Sequence, residues 1–242
     1  MVSLGWGYSA VATEPAGVEA VTPDNVVRPE PNSAEEPRIE SFSPEKAAHF
    51  LDSAALDWQN SRKCMACHTG YLYLMARPSL GTSNPAYEAV RQYAEDLVEK
   101  RWPEKGPRWD AEVVMTAGVL AYGDRLNGGS LQPTTRKALD RMWTVQRDDG
   151  GFDWLKCNWP PYESDDDFGA AMVALSTLLA PDDYAQTEAA QAGLARLREY
   201  LSANPPPTLH HRGWLLWADS YQPGALMSGG QRADVVEELL SL

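Results

Sequence analysis

The chain has 242 residues, with 34 Asp and Glu against 21 Lys and Arg, so its formal net charge is −13. A charge of this sign repels nucleic acid phosphates and anionic membrane surfaces, which excludes nucleic acid as an expected partner. The sequence has no apolar run of about 18 residues, so no membrane span is expected.

The first 43 residues are predicted to form a flexible, proline-rich segment. Within it, Ala10-Val11-Ala12 fits the small-x-small pattern of a signal-peptide cleavage site, although no basic region or full apolar region precedes it. The segment is therefore either the remnant of a signal peptide or an ordinary flexible terminus.

Residues 44–242 are predicted to form one helical domain. Ser43 and Pro44 are typical of a helix start, and strand-like alternation is scarce in the rest of the chain. The last helix has no stop signal, so we expect the domain to be truncated at its C-terminus. The predicted helices cover residues 43–60, 67–76, 84–102, 110–125, 133–146, 164–180, 182–203, 209–220 and 231–242.

These helices form pairs that recur roughly every 40 to 50 residues, as in arrays of helical hairpins. The first member of a pair is amphipathic and charged, as in residues 88–102 (EAVRQYAEDLVEKRW). The second is apolar almost all round, as in residues 168–180 (FGAAMVALSTLLA), and must be buried. The pattern predicts an all-α fold with inner and outer helices.

The segment VQRDDGGFDW, residues 145–154, joins an outer helix to an inner one. It resembles the repeat of the squalene cyclase and protein prenyltransferase superfamily, which implies an α/α toroid of inner and outer helices. Trp58-Gln59 begins a second copy, which the cysteine motif then interrupts. The positions that match the repeat are Gln146, Gly150, Gly151, Phe152 and Trp154.

The same resemblance makes an acidic cluster a candidate catalytic site. Squalene-type cyclases protonate an alkene with an acid from a DxDD segment, whereas this chain has Glu163, Asp165, Asp166 and Asp167 in ESDDD. Acidic residues are also what a helix N-terminus prefers. Prenyl transfer is disfavoured, because Asp167-Phe168-Gly169 lacks the cysteine of the zinc-binding Asp-x-Cys and Cys157 lies ten residues upstream.

A second candidate site is the CxxCH motif formed by Cys64, Cys67 and His68. Haem c attachment uses two thiols at this spacing and an adjoining histidine that ligates the iron. The segment CMACHTG also resembles the attachment segments of c-type cytochromes. Zinc is less favoured, because no second CxxC or HxxxH pair is present. A redox dithiol is a further alternative, although such motifs normally sit in a βαβ unit.

If the inner helices run parallel, their starts lie at one mouth of the ring. We therefore expect His210 or His211 to lie close to His68 at this mouth. These histidines are the predicted metal ligands, and His210 or His211 would be the second axial ligand of a haem. The sulfur atoms of Met65, Met75 and Met115 are competing ligands.

The predicted function is that of an exported, periplasmic α/α-toroid protein with covalent haem c, acting in redox chemistry or electron transfer near an apolar cavity. Its expected partner is a hydrophobic small molecule or a redox partner. One alternative is a terpenoid cyclase that uses the acidic cluster. The other is a non-catalytic interaction module.

Overall fold

A computed structural model describes residues 19–31, 33–37, 40–81, 84–155 and 166–242, apart from the side chains of residues 66 and 67. This part of the chain consists of helices and connecting segments without strands, which confirms the all-α prediction. The α-helices are α1 (Pro44–Arg62), α2 (Tyr71–Ala76), α3 (Pro85–Asp96), α4 (Trp102–Lys105), α5 (Asp110–Leu126), α6 (Pro133–Trp143), α7 (Asp166–Leu179), α8 (Glu188–Ala203), α9 (Leu209–Tyr221) and α10 (Gly229–Leu240).

Some predicted boundaries are wrong for local reasons. The predicted helix over 84–102 is α3, a π-helical turn (Leu97–Arg101) and α4 in succession. The helix expected from residue 182 begins only at Glu188, because Asp182 and Asp183 both have positive φ and Thr187 provides the N-cap. The helix predicted to end at Gln146 ends at Trp143.

The two kinds of helix differ in burial as their composition predicts. Every residue of α7 from Phe168 to Leu179 is buried, and so are most residues of α5. The amphipathic helices α6 and α8 bury one face only. The predicted inner helices follow one another in space: α2 packs on α5, α5 on α7 and α7 on α9. Small residues allow close approach: a Cβ on Gly118 of α5 would clash with Ser176 of α7.

Contacts between neighbours show that α2, α5, α7 and α9 all begin at one end of the fold. The hydroxyl of Tyr71, the first residue of α2, lies 3.4 Å from the carbonyl of Glu112 in the first turn of α5 and 2.8 Å from Thr116 Oγ1 in its second turn. At the opposite end, Arg125 of α5 donates to the carbonyl of Leu179, the last residue of α7 (3.0 Å). The Phe168 and His210 rings, at the starts of α7 and α9, are 6.3 Å apart. We call this end the N-terminal rim.

The packed structure begins before residue 44. Val21 is 4% exposed and belongs to the hydrophobic core, and Val26 packs against that core. Part of the segment predicted to be flexible is therefore docked on the helical domain. Within the residues described, no helix combines the length and the apolar character needed to cross a membrane.

Candidate functional site

The CxxCH motif lies between α1 and α2. Lys63 caps α1 in the left-handed conformation (φ 51°), and Ala66–Gly70 form a π-helical turn that leads into α2. Tyr93 of α3 donates a hydrogen bond to the Lys63 carbonyl (2.6 Å). A side chain at position 70 would clash with the carbonyl of Met65, so the turn needs Gly70. The motif is thus held in one backbone path by its own turn and by α3.

Cys64 and His68 line the same pocket, which has a volume of about 180 Å³. Cys64 is partly buried and His68 is exposed. The ring of Trp58 meets the His68 ring edge-on, with centroids 4.9 Å apart. The Cys67 side chain lies outside the described residues. The aromatic and aliphatic wall consists of Trp58, Met65, Tyr71, Tyr93, Leu97 and Trp109.

Arg108 and Tyr93 give the pocket its polar character near Cys64. The Arg108 guanidinium donates through Nη1 to Cys64 Sγ at 3.4 Å. Burial raises the pKa of the Tyr93 hydroxyl, the negative charge that Cys64 carries as a thiolate raises it further, and the positive charge of Arg108 opposes both. Tyr93 therefore remains a neutral hydrogen-bond donor to the Lys63 carbonyl.

Glu112, in the first turn of α5, supports the pocket wall. Its side chain is 6% exposed, and its Oε1 accepts from Arg101 Nη1 (2.5 Å), Trp102 Nε1 (2.9 Å) and the backbone N–H of Arg108 (3.3 Å). Because a buried carboxylate needs this compensation, Glu112 fixes the loop that carries Arg108.

A second buried link lies behind the motif. Asp52 of α1 accepts from Arg77 Nε (2.8 Å), Arg77 Nη2 (3.2 Å) and the Tyr73 hydroxyl (2.6 Å). Arg77 also donates to the Gly81 carbonyl at 2.5 Å. Burial, followed by the hydrogen bond to Asp52, raises the pKa of Tyr73 far above its ordinary value. This network ties α1 to the end of α2, on either side of the motif.

The residues that match the toroid repeat form a structural junction. Gln146 Nε2 donates to the carbonyls of Gly150 (2.9 Å) and Gly193 (3.0 Å), which joins the turn to α8. Gly150 has φ 86°, a conformation that favours glycine, and Phe152 and Trp154 are buried. These positions therefore serve packing between an outer helix and the turn that follows it.

The acidic cluster also takes part in this junction. Asp166 accepts from Arg147 Nη1 (2.7 Å) and from the backbone N–H of Trp154 (3.1 Å), and Asp167 is half-buried in the first turn of α7. Glu163 and Asp165, like Cys157, lie outside the described residues. Asp166 thus has a structural role, which agrees with the expected preference of a helix start for acidic residues.

The structure does not bring the three predicted histidine ligands into one pocket. His210 stacks on Phe168 and accepts a hydrogen bond from Trp214 Nε1 (3.1 Å), and it lines a separate pocket of about 420 Å³ beside α9. His211 is buried, with Nδ1 2.8 Å from the Thr208 hydroxyl. The four helices do share a rim, but α5 and α7 lie between α2, which follows His68, and α9, which carries the other two.

Among the competing sulfur ligands, Met65 is the one in the pocket with His68. Met115 is buried in α5, and Met75 is partly buried in α2. Within the described side chains, no group of three or more His, Cys, Asp or Glu residues is arranged to hold a metal ion.

Several pocket residues were not predicted as site residues. Arg108 is 44 positions from Cys64 in sequence, and Tyr93 comes from α3. Trp58 was noted only as the start of an interrupted repeat. No local pattern marks these side chains, and only packing brings them to the motif.

Comparison with family models, with curated proteins and with solved structures finds no match to this chain. The fold and the site therefore define its class by themselves. It is an all-α protein of repeat-like helical hairpins with a CxxCH motif at one rim.

Proposed function

We propose that the chain binds haem c covalently through Cys64 and Cys67, with His68 as an iron ligand, and acts in electron transfer or redox chemistry. The observation that carries this proposal is that Cys64 and His68 line one aromatic pocket. Because haem c is attached outside the cytoplasm, we also propose that the protein is exported to the periplasm. The expected partner is a redox partner or a hydrophobic small molecule.

The residues present fit such a group. The motif supplies two thiols by sequence and an exposed imidazole, and the wall of the pocket is apolar and aromatic. The pocket volume of about 180 Å³ is below the roughly 300 Å³ at which ligand cavities usually begin. A tethered group that extends out of the pocket agrees with this volume better than an enclosed ligand does.

Each residue of the motif has a defined chemical task in this proposal. Cys64 and Cys67 would hold the porphyrin through thioethers, each formed by addition of one S–H across a vinyl group, so that no group would leave. His68 offers a ring nitrogen to the iron, whose one-electron chemistry the bound haem supplies. Met65 is the candidate for a further ligand that shares this pocket.

The proposed architecture is an incomplete α/α toroid. It is supported by the spatial succession of α2, α5, α7 and α9, by their common starting end, and by the amphipathic helices α6 and α8 beside them. The match of residues 145–154 to the superfamily repeat supports the same architecture. A terpenoid cyclase has less support, because the Asp166 carboxylate already accepts hydrogen bonds from Arg147 and from the backbone N–H of Trp154.

The test is expression of the chain, behind an export signal, in cells with a haem c maturation system. We expect a pyridine haemochrome spectrum of the c type and a protein mass increased by one haem. The variant in which Cys64 and Cys67 are both serine should fold but carry no haem. Wild-type protein without covalent haem would overturn the proposal. Incubation with polyprenoid substrates tests the cyclase alternative.

A further inference from the structure

A cleft outside the predicted sites lies between α8, α9 and α10. Its volume is about 660 Å³, and small-molecule sites in proteins usually measure roughly 300–1,000 Å³. The cleft shares no lining residue with the CxxCH pocket or with the pocket beside α9. Its apolar lining includes Leu201, Leu215, Leu226, Met227 and Val235.

The loop between α9 and α10 forms one wall of the cleft and is held by the buried carboxylate of Asp219. This carboxylate accepts hydrogen bonds from the backbone N–H groups of Gly224 (3.1 Å), Leu226 (2.7 Å) and Met227 (3.1 Å). It also pairs with Arg232 of α10 at 2.8 Å. Because these contacts lie within the protein itself, the wall needs no ligand to take its shape, and binding costs little ordering of the chain.

Arg198 of α8 places an available cation on this apolar lining. Its Nε donates to the carbonyl of Ala225 at 2.6 Å, which fixes the guanidinium against the loop. Its two Nη atoms have no hydrogen-bond partner in the described part of the chain, and they keep contact with solvent. Since a guanidinium is a fork of N–H donors, Arg198 retains donors for an anionic group at the edge of the cleft.

The other charges of the lining do not compete for these donors. Arg212 is already paired with Glu238 through two hydrogen bonds of 2.7 and 2.9 Å. Asp234 is exposed, and among the described residues no ion pair joins it to either arginine of the lining. Its repulsion of an anion therefore acts through solvent, where interactions between charges are weak. An ionised ligand thus meets Arg198 as the available counter-charge.

We propose that this cleft binds an alkyl carboxylate of the fatty-acid type. Its carboxylate would accept from the Arg198 Nη atoms, and its chain would lie against Leu215 and Met227. Guanidinium and carboxylate form charge-assisted, often bidentate bonds, and each CH₂ group that becomes fully buried strengthens binding about fourfold. A cation beside an apolar surface suits a ligand with both features better than a short anion or a neutral hydrocarbon.

The test is calorimetric titration of the full chain with decanoate, decanol and acetate at pH 7, below the concentrations at which decanoate forms micelles. Decanoate should bind one to one. Decanol, which lacks the charge, should bind about tenfold more weakly, and acetate should give no measurable heat of binding. Arg198→Gln should weaken decanoate binding by about tenfold and leave decanol binding unchanged. Absence of decanoate binding, equal affinities for decanoate and decanol, or wild-type affinity in Arg198→Gln would overturn the proposal.

Two variants and one spectrum locate the ligand. Arg196→Gln removes an exposed guanidinium of the same helix outside the lining, and it should bind decanoate as the wild type does. Ser202→Phe puts a ring at an exposed lining position, and it should weaken binding of both decanoate and decanol. In NMR spectra of the labelled methionine methyl groups, decanoate should shift the resonance of Met227, assigned with Met227→Leu. A Met227 resonance that stays in place at saturation would overturn the proposal. Haem attachment is measured separately, because the cleft and the CxxCH pocket share no residue.

Discussion

Replacing Asp52 by Asn should destabilise the fold strongly, because it removes the counter-charge of a buried guanidinium. The Asp52 and Arg77 side chains are 4% and 3% exposed, and Asp52 accepts two bonds from Arg77 and one from Tyr73. Breaking a buried ion pair by removing one partner costs about 3–5 kcal/mol. The melting temperature of a chain of this size should then fall by about 6–20 °C.

The control is the same substitution at Asp57, five positions along the same helix. The Asp57 carboxylate lies 4.0 Å from Arg28, and these side chains are 32% and 84% exposed. Exposed pairs of this kind contribute at most about 1 kcal/mol. Urea unfolding of both variants measures the difference. Equal losses of unfolding free energy in Asp52→Asn and Asp57→Asn would show that the buried link does not stabilise the fold.

Two further predictions concern the outer face and the C-terminal helices. Gly150→Ala should lower the free energy of unfolding by about 1–2 kcal/mol because of its positive φ, and by about 1–3 kcal/mol more because the new Cβ clashes with the Arg196 carbonyl. Gly129 also has a positive φ but lies in open space, so Gly129→Ala should lose only the first of these amounts. Chemical denaturation of both variants measures the difference. Burial opposes the ionisation of Asp219, but hydrogen bonds from three backbone N–H groups and from Arg232 outweigh this effect and lower the pKa of the carboxyl group. Ionised Asp219 therefore stabilises the fold at pH values above the ordinary carboxyl pKa. This stabilisation is lost as the pH falls through the pKa of the folded state. Asp219→Asn should therefore have a lower free energy of unfolding than the wild type at pH 7, and the difference should become smaller below about pH 4. A difference that stays constant in urea titrations across this pH range would contradict the assignment.

The buried helices were the most predictable part of the fold. A segment such as residues 168–180, apolar on every side, has no stable position except inside, and α7 is buried from Phe168 onward. The start of α8 was less predictable. Asp182 and Asp183 suit a helix start by composition, yet both adopt positive φ, and the chain reaches the N-cap only at Thr187.

The candidate site was predictable in its centre and not in its surroundings. Spacing alone singled out Cys64, Cys67 and His68, because a CxxCH motif is local in sequence. Arg108 and Tyr93 come from distant elements, and their positions depend on how Glu112 and α3 pack. We expected His210 or His211 to lie near His68 only because the inner helices share a rim. That prediction did not take into account that two helices, α5 and α7, lie between α2 and α9.

The links that hold the pocket are independent of the residues that would carry the haem. Asp52 pairs with Arg77 behind the motif, Glu112 fixes the Arg108 loop, and Tyr93 holds the Lys63 carbonyl. None of these contacts uses the thiols of the motif, so exchanging both cysteines for serine should leave the pocket walls in place. A folded variant without haem then reports on attachment itself. Fold stability alone cannot separate a haem protein from an interaction module, because both keep these links, whereas covalent attachment separates them.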